Sequence, residues 1–165
     1  MKKLILVRHG KAEDPVSGIS DFERSLTPKG KSISRMMARQ LKETEKSALI
    51  LITSPAFRAF ETALIFAGEL GIDPEKVIVN SNIYYKMNLR LLTSILSASK
   101  DVSDTIVLFG HNPSFTEIAD SLSAEGCDFI PKSGVVCISF KAGSWADIKH
   151  KTGKIEYYFK PDKTL

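Results

Sequence analysis

The feature that most constrains this chain is its alternation of short apolar runs with longer amphipathic stretches. Leu4-Ile5-Leu6-Val7 reads as a buried strand, and Ala48 to Ile52, Val77-Ile78-Val79, Thr105 to Phe109, Val135 to Phe140 and Ile155 to Phe159 read as further strands, because each is short and apolar and several are rich in β-branched residues. The intervening stretches carry helix signals. Thr27 is placed to cap a helix that has Pro28 at its first position, with Ile33, Met36, Met37 and Leu41 as its apolar stripe. Ser54-Pro55 opens a second helix, with Ser54 as its cap, Phe57, Phe60, Leu64 and Ala67 on one face, and Gly71 closing it. Leu89 to Leu96 is a third, and Asn112-Pro113 opens a fourth through Ile118 and Leu122. Strands separated by helices predict an α/β fold, a three-layer α/β/α sandwich around a mostly parallel central sheet, with the last strand at an edge.

A chain of 165 residues suits one domain with one core, and no repeat, low-complexity tract or linker divides residues 1–165. Met1-Lys2-Lys3 followed by four apolar residues resembles a secretion signal at first glance, but Arg8-His9 stops the apolar run, so a buried strand fits better. No run approaches the ~18 apolar residues of a membrane span, and a cytoplasmic location is expected. The net charge of +4 suits an anion site without demanding nucleic acid. Aromatics do not interleave with the cations as a single-strand binding platform requires. The lysines around Lys149, Lys151 and Lys154 read as a solvated face. The two cysteines, Cys127 and Cys137, form no Cys-x-x-Cys pair, neither is followed by an arginine six residues on, and Cys137 reads as core.

In open α/β sheets ligands bind beyond the carboxyl ends of the strands. After the first strand comes Arg8-His9-Gly10-Lys11. After the second comes Thr53-Ser54-Pro55, with Arg58 one turn on, and after the fourth comes Gly110-His111-Asn112-Pro113. Two arginines and two of the three histidines thus fall at one edge of the sheet, near the free N–H groups of helix starts. The third, His150, reads as surface. Taken singly, His111 could be structural and Arg58 a surface residue; their joint placement points to a phosphate site. Arginine forks match phosphate oxygens in pairs. One imidazole can attack phosphorus while the other donates to a non-bridging oxygen, and phosphoryl transfer needs mainly positioning and charge stabilisation.

Other chemistries have less support. Gly30-Lys31-Ser32 resembles the end of a phosphate-binding P-loop, but Ser25 stands where its first glycine belongs and the segment reads as a helix start. There is no Gly-x-Ser-x-Gly elbow, no His-Glu-x-x-His or other dense ligand cluster to imply a metal, and no Asp-x-Asp pair to act as phosphoryl acceptor.

Arg8-His9-Gly10, the segment Ser54-Pro55-Ala56-Phe57-Arg58-Ala59-Phe60-Glu61-Thr62-Ala63 and Gly110-His111-Asn112-Pro113 resemble, in that order, the histidine phosphatase (phosphoglycerate mutase-like) superfamily. Asp21 to Gly30, Tyr84-Tyr85 and Phe159 to Lys163 look like its small phosphohistidine phosphatase, SixA-like branch. The resemblance spans essentially the whole chain. It implies His9 as nucleophile forming a phosphohistidine intermediate. It also implies a phosphate pocket completed by Arg8, Arg58 and His111, with Asn112 capping a helix and shaping the pocket, and no metal or organic cofactor. The chain departs from that branch at Gly10, where alanine is frequent, at Lys132-Ser133-Gly134, and at Lys86.

Cleavage of a phosphate monoester releases an alkoxide and calls for a general acid. Residues 77–100, the stretch after the third strand, contain no Asp or Glu. Glu13, Asp14, Asp21 and Glu23 remain candidates, although Asp21 could simply order its loop, and Glu61 is expected to pair on its own helix. An N–P bond needs less help, so the expected substrate is a protein phosphohistidine, with inorganic phosphate as product. A phosphomonoesterase or mutase of small phosphorylated metabolites, and a non-catalytic phosphate- or phosphoprotein-binding module, stand as alternatives. Nucleic acid and membrane are not expected partners.

Overall fold

The computed structural model describes residues 1–164. Six strands form one sheet: β1 (Lys2–Arg8), β2 (Leu49–Thr53), β3 (Ile78–Val79), β4 (Thr105–Gly110), β5 (Val135–Phe140) and β6 (Lys154–Phe159). Four helices connect them: α1 (Pro28–Thr44), α2 (Phe57–Leu70), α3 (Leu89–Ser97) and α4 (Ser114–Leu122). The sheet order is β3-β2-β4-β1-β5-β6. The first four strands run parallel, and β5 and β6 are antiparallel to their neighbours. This is the mostly parallel α/β sandwich expected, with β6 at an edge.

The two-residue period of the strands explains the layers. Leu4 and Leu6 of β1 join Ile106 and Leu108 of β4 in a core covered by Leu92 and Leu96 of α3 and by Phe115 and Ile118 of α4. Ile5 and Val7 point the other way, with Val107, Phe109 and the buried Cys137, against Met37 and Leu41 of α1 and Phe66 of α2. The chain leaves β1 across the α1 face toward β2 and leaves β4 through α4 toward β5. The C-terminal ends of β1 and β4 therefore flank a topological switch point, where an open sheet leaves a crevice for a ligand.

Several local expectations need correction. Met36 is 43% exposed. The buried face of α1 is Gly30, Ser34, Met37, Ala38 and Leu41, so small residues carry part of the stripe. Phe57 of α2 is likewise exposed, and Phe60 and Leu64 are only half-buried; the buried face runs through Arg58, Ala59, Thr62, Ala63, Phe66 and Ala67. Its rotation brings Arg58 inward. Ser54 is not the cap of α2, which starts three residues later behind Ala56. Thr27 does cap α1, accepting from the Gly30 N–H, and Gly71 does close α2. Gly30 sits inside α1, not in a phosphate-binding loop.

Candidate active site

The ends of three strands are sewn together by backbone hydrogen bonds. The His9 N–H donates to the Gly110 carbonyl, the Arg8 N–H to that of Gly134, and the Ser54 N–H to that of Phe109. This fixes the segments bearing Arg8, His9, Ser54 and His111 relative to one another. Arg8, His9, Arg58, His111 and Asn112 all line one cavity of about 280 Å³. These five residues come from the ends of two strands and the start of the helix that follows a third.

His9 is 8% exposed. Its Nδ1 lies 2.8 Å from the Gly10 carbonyl oxygen. A carbonyl only accepts, so Nδ1 carries the proton and Nε2 keeps its lone pair. Burial lowers the His9 pKa to about 3; Arg58, Arg8 and, once it is protonated, His111 push the same way, against the Gly10 carbonyl. The ring is therefore neutral at ordinary pH, in the tautomer a nitrogen nucleophile needs. The His111 ring is 5.1 Å away, centroid to centroid. Its Nε2 lies 2.8 Å from Ser54 Oγ, and its buried Nδ1 has no partner among the described residues. Burial, then Arg58, lowers its pKa to about 4, so the free pocket holds two neutral imidazoles.

Both arginines are anchored through their terminal nitrogens. Arg8 donates from Nη1 to the Ile130 carbonyl, and the exposed Phe129 ring lies 5.2 Å from its Cζ. Arg58 donates from Nη1 to the Asp21 carbonyl at 2.7 Å and from Nη2 to Asp21 Oδ2 at 3.0 Å. The Nε atoms of both are buried, with no partner among the described residues. Asn112 donates to the same Ile130 carbonyl as Arg8, while its Oδ1 accepts from the backbone and hydroxyl of Thr116. Its side chain thus caps the first turn of α4, as expected, and ties it to the Arg8 support.

Asp21 has a larger part than ordering a loop. Its Oδ2 accepts from Tyr84 Oη at 2.8 Å as well as from Arg58, and its Oδ1 accepts from Arg24. Partial burial opposes its ionisation, but the bonds from Tyr84, Arg24 and Arg58 outweigh that and hold the carboxyl well below the usual carboxylate range. Tyr84 in turn stands edge-on to His111. Glu61 pairs with Lys31 of α1 and accepts from the Leu26 N–H, not within its own helix as expected. Glu13 and Glu23 do not border the cavity, and His150 is exposed on the surface, bonded to Ser121.

Lys11, Arg24 and Lys132, to which the sequence alone assigns no part in the pocket, also line it, as does Asp14, one of the general-acid candidates. The wall thus carries five cationic side chains, Arg8, Lys11, Arg24, Arg58 and Lys132, and one carboxylate, Asp14. Such a cavity can hold a phosphoryl dianion next to an unprotonated imidazole. Gly10 is explained here as well. A Cβ at this position would stand 2.7 Å from Ser34 Oγ and 3.1 Å from Ser133 Oγ. These two buried hydroxyls, 3.0 Å apart, occupy the space an alanine methyl would take.

A sequence profile of the histidine phosphatase superfamily (branch 1) matches residues 4–79. An uncharacterized protein of Picosynechococcus is 30% identical over 123 residues, 73% of each chain. A candidate phosphoserine phosphatase of Hydrogenobacter thermophilus is 32% identical over 108 residues, 62% of this chain and 51% of its own length. Among solved structures, the fold is similar to that of the protein histidine phosphatase SixA complexed with tungstate, with a TM-score of 0.78 and 21% identity, covering 96% of this chain and 97% of that one. The sequence match and the shared fold lead to one assignment: the chain belongs to the histidine phosphatase superfamily.

Proposed function

We propose that this chain is a phosphohistidine phosphatase that removes a phosphoryl group from a histidine of another protein. In the first step His9 Nε2 attacks phosphorus in line. The new N–P bond forms as the substrate's N–P bond breaks, and the departing imidazole nitrogen takes a proton from solvent. Arg8, Arg58 and His111 hold the non-bridging oxygens. The dianion favours the protonated form of His111, whose Nδ1–H is then free to donate because Nε2 is engaged by Ser54. In the second step water attacks phosphorus, the bond to His9 breaks, and inorganic phosphate leaves.

The observation that carries the reading is the inventory of acids. Asp21 is spent on Arg58, Arg24 and Tyr84, and the segment after β3 turns Tyr84, not a carboxylate, toward His111. An imidazole leaving group needs less help from an acid than an alkoxide does. The SixA structure with the same fold is consistent with this substrate class. One observation favours a second reading, hydrolysis of small phosphate esters: Asp14 does border the cavity, and the Hydrogenobacter relative is described as a candidate phosphoserine phosphatase. The test is kcat/KM for a phosphohistidine-bearing protein against that for phosphoserine and 3-phosphoglycerate. The phosphoprotein should be the better substrate by about two orders of magnitude, the size of one general-acid contribution. A preference for the esters overturns the proposal.

A further inference from the structure

A second cavity, of about 480 Å³, adjoins the phosphate pocket and shares two wall residues with it, Asp14 and Arg24. It lies against the loop between β1 and α1, and its other walls include Val16, Ile19, Glu13 and Glu23. Val16 is 56% exposed and Ile19 is 49% exposed. Both aliphatic side chains line the cavity and stay open to solvent next to the phosphate pocket.

The loop is held in shape. The Glu13 N–H donates to the Ser25 carbonyl, Ala12 bridges to Leu26, and Ser20 Oγ donates to Glu23. The Ile19 N–H donates to the Val16 carbonyl across a turn that has Gly18 at φ 86°. That is the position and sign of φ at which a type II turn calls for glycine. The turn sets Val16 and Ile19 side by side. The charge around them contrasts with the phosphate pocket. Three carboxylates, Glu13, Asp14 and Glu23, border the adjoining cavity, and Arg24 is its one cation. Arg24 is already bonded to Asp21 and to the Glu13 carbonyl.

We infer that this cavity is a specificity subsite for the residues flanking the phosphorylated side chain of a protein substrate. With the phosphoryl group seated on His9, a neighbouring aliphatic side chain packs on Val16 and Ile19. A neighbouring lysine or arginine meets Glu13 and Glu23. The substrate is then a phosphoprotein whose modified residue sits beside one apolar and one cationic residue. The inference rests on the phosphoprotein reading and adds the sequence around the phosphate.

The test uses two synthetic phosphohistidine peptides, one with Leu and Lys beside the phosphohistidine and one with Ser and Glu there, with phosphoramidate as the small donor. The intact protein should turn over the Leu/Lys peptide with a kcat/KM at least about tenfold higher, the scale of burying part of one aliphatic side chain. The Val16→Ser/Ile19→Ser double variant and Glu13→Lys should each lose most of that preference while kcat/KM for phosphoramidate stays unchanged. Equal turnover of the two peptides by the unaltered protein, or variants that slow phosphoramidate as much as peptide, overturns the subsite and leaves the phosphohistidine reading standing. Turnover of phosphoserine but of neither peptide overturns that reading, and the subsite with it.

Discussion

Acidification should destabilise this protein through its two pocket histidines. Burial holds His9 at about 3 and His111 at about 4, both lowered from 6.5. The sign follows from where the protons go. As pH falls through 6.5 the unfolded chain protonates both rings, while the folded chain keeps His111 neutral until about 4 and His9 until about 3. The unfolded state gains protons first, so stability falls with pH from about 6.5 downward and stops falling on their account below those folded values. Between pH 7 and pH 5 the loss is about 2 kcal/mol for each histidine and about 4 kcal/mol for both. Asp21 and Glu45, which the fold holds below the usual carboxylate range, take up protons in the unfolded chain mainly below this interval and add little to it. The assay is urea unfolding at pH 7, 6 and 5 in a buffer without phosphate or other oxyanions, for the unaltered protein, His9→Gln and His111→Gln. Each substitution should remove about half of the pH dependence, whatever it does to stability at pH 7. Three curves with the same pH slope would refute the reasoning, because the rings would then not be buried in the neutral form.

Asp21→Asn should weaken competitive inhibition by inorganic phosphate by about tenfold, since Arg58 loses a charged partner and keeps only a backbone acceptor and an amide oxygen. Trapping of phosphoenzyme should survive in that variant; an unchanged inhibition constant would count against Asp21 as a positioning residue. Gly10→Ala should cost about 1–3 kcal/mol in urea unfolding because its methyl meets Ser34 Oγ, and adding Ser34→Ala to the same chain should recover part of it. If Gly10→Ala alone is neutral, the close packing of the two hydroxyls does not explain the glycine. Binding of tungstate near pH 7 should take up about one proton, because the dianion reverses the depressed pKa of His111. Calorimetry in two buffers of different ionisation enthalpy measures this uptake, and identical heats in both would contradict it.

The strands and the strand-end loops were legible because they depend on local rules: a short apolar run, a proline after a polar residue, and the general location of ligands in an open sheet. His9, Arg8 and His111 follow from those rules directly. The helix faces were read less well. Met36 and Phe57 are large and apolar, which drew the stripes toward them, but small residues such as Ser34, Ala38, Ala59 and Ala63 form the buried faces. Phe57 packs instead against Phe22, from a segment far away in the chain. The Asp21–Arg58–Tyr84 cluster joins residues 37 and 63 positions apart, and no periodicity reports such a contact. The same holds for Lys132 and Arg24, which reach the pocket from loops whose positions are set by the sheet order. The one available signal was the motif from Asp21 to Gly30, where Asp21 and Arg24 are three residues apart and bond directly.

The central claim is His9 as the nucleophile at phosphorus, and the measurement that tests it most directly is rapid-quench trapping with a radiolabelled phosphohistidine protein, followed by mapping of the label. The expected result is one acid-labile, base-stable phosphoryl group per chain, on His9 at Nε2, and neither label nor turnover in His9→Ala. Label on another residue, or undiminished turnover in His9→Ala, would contradict it.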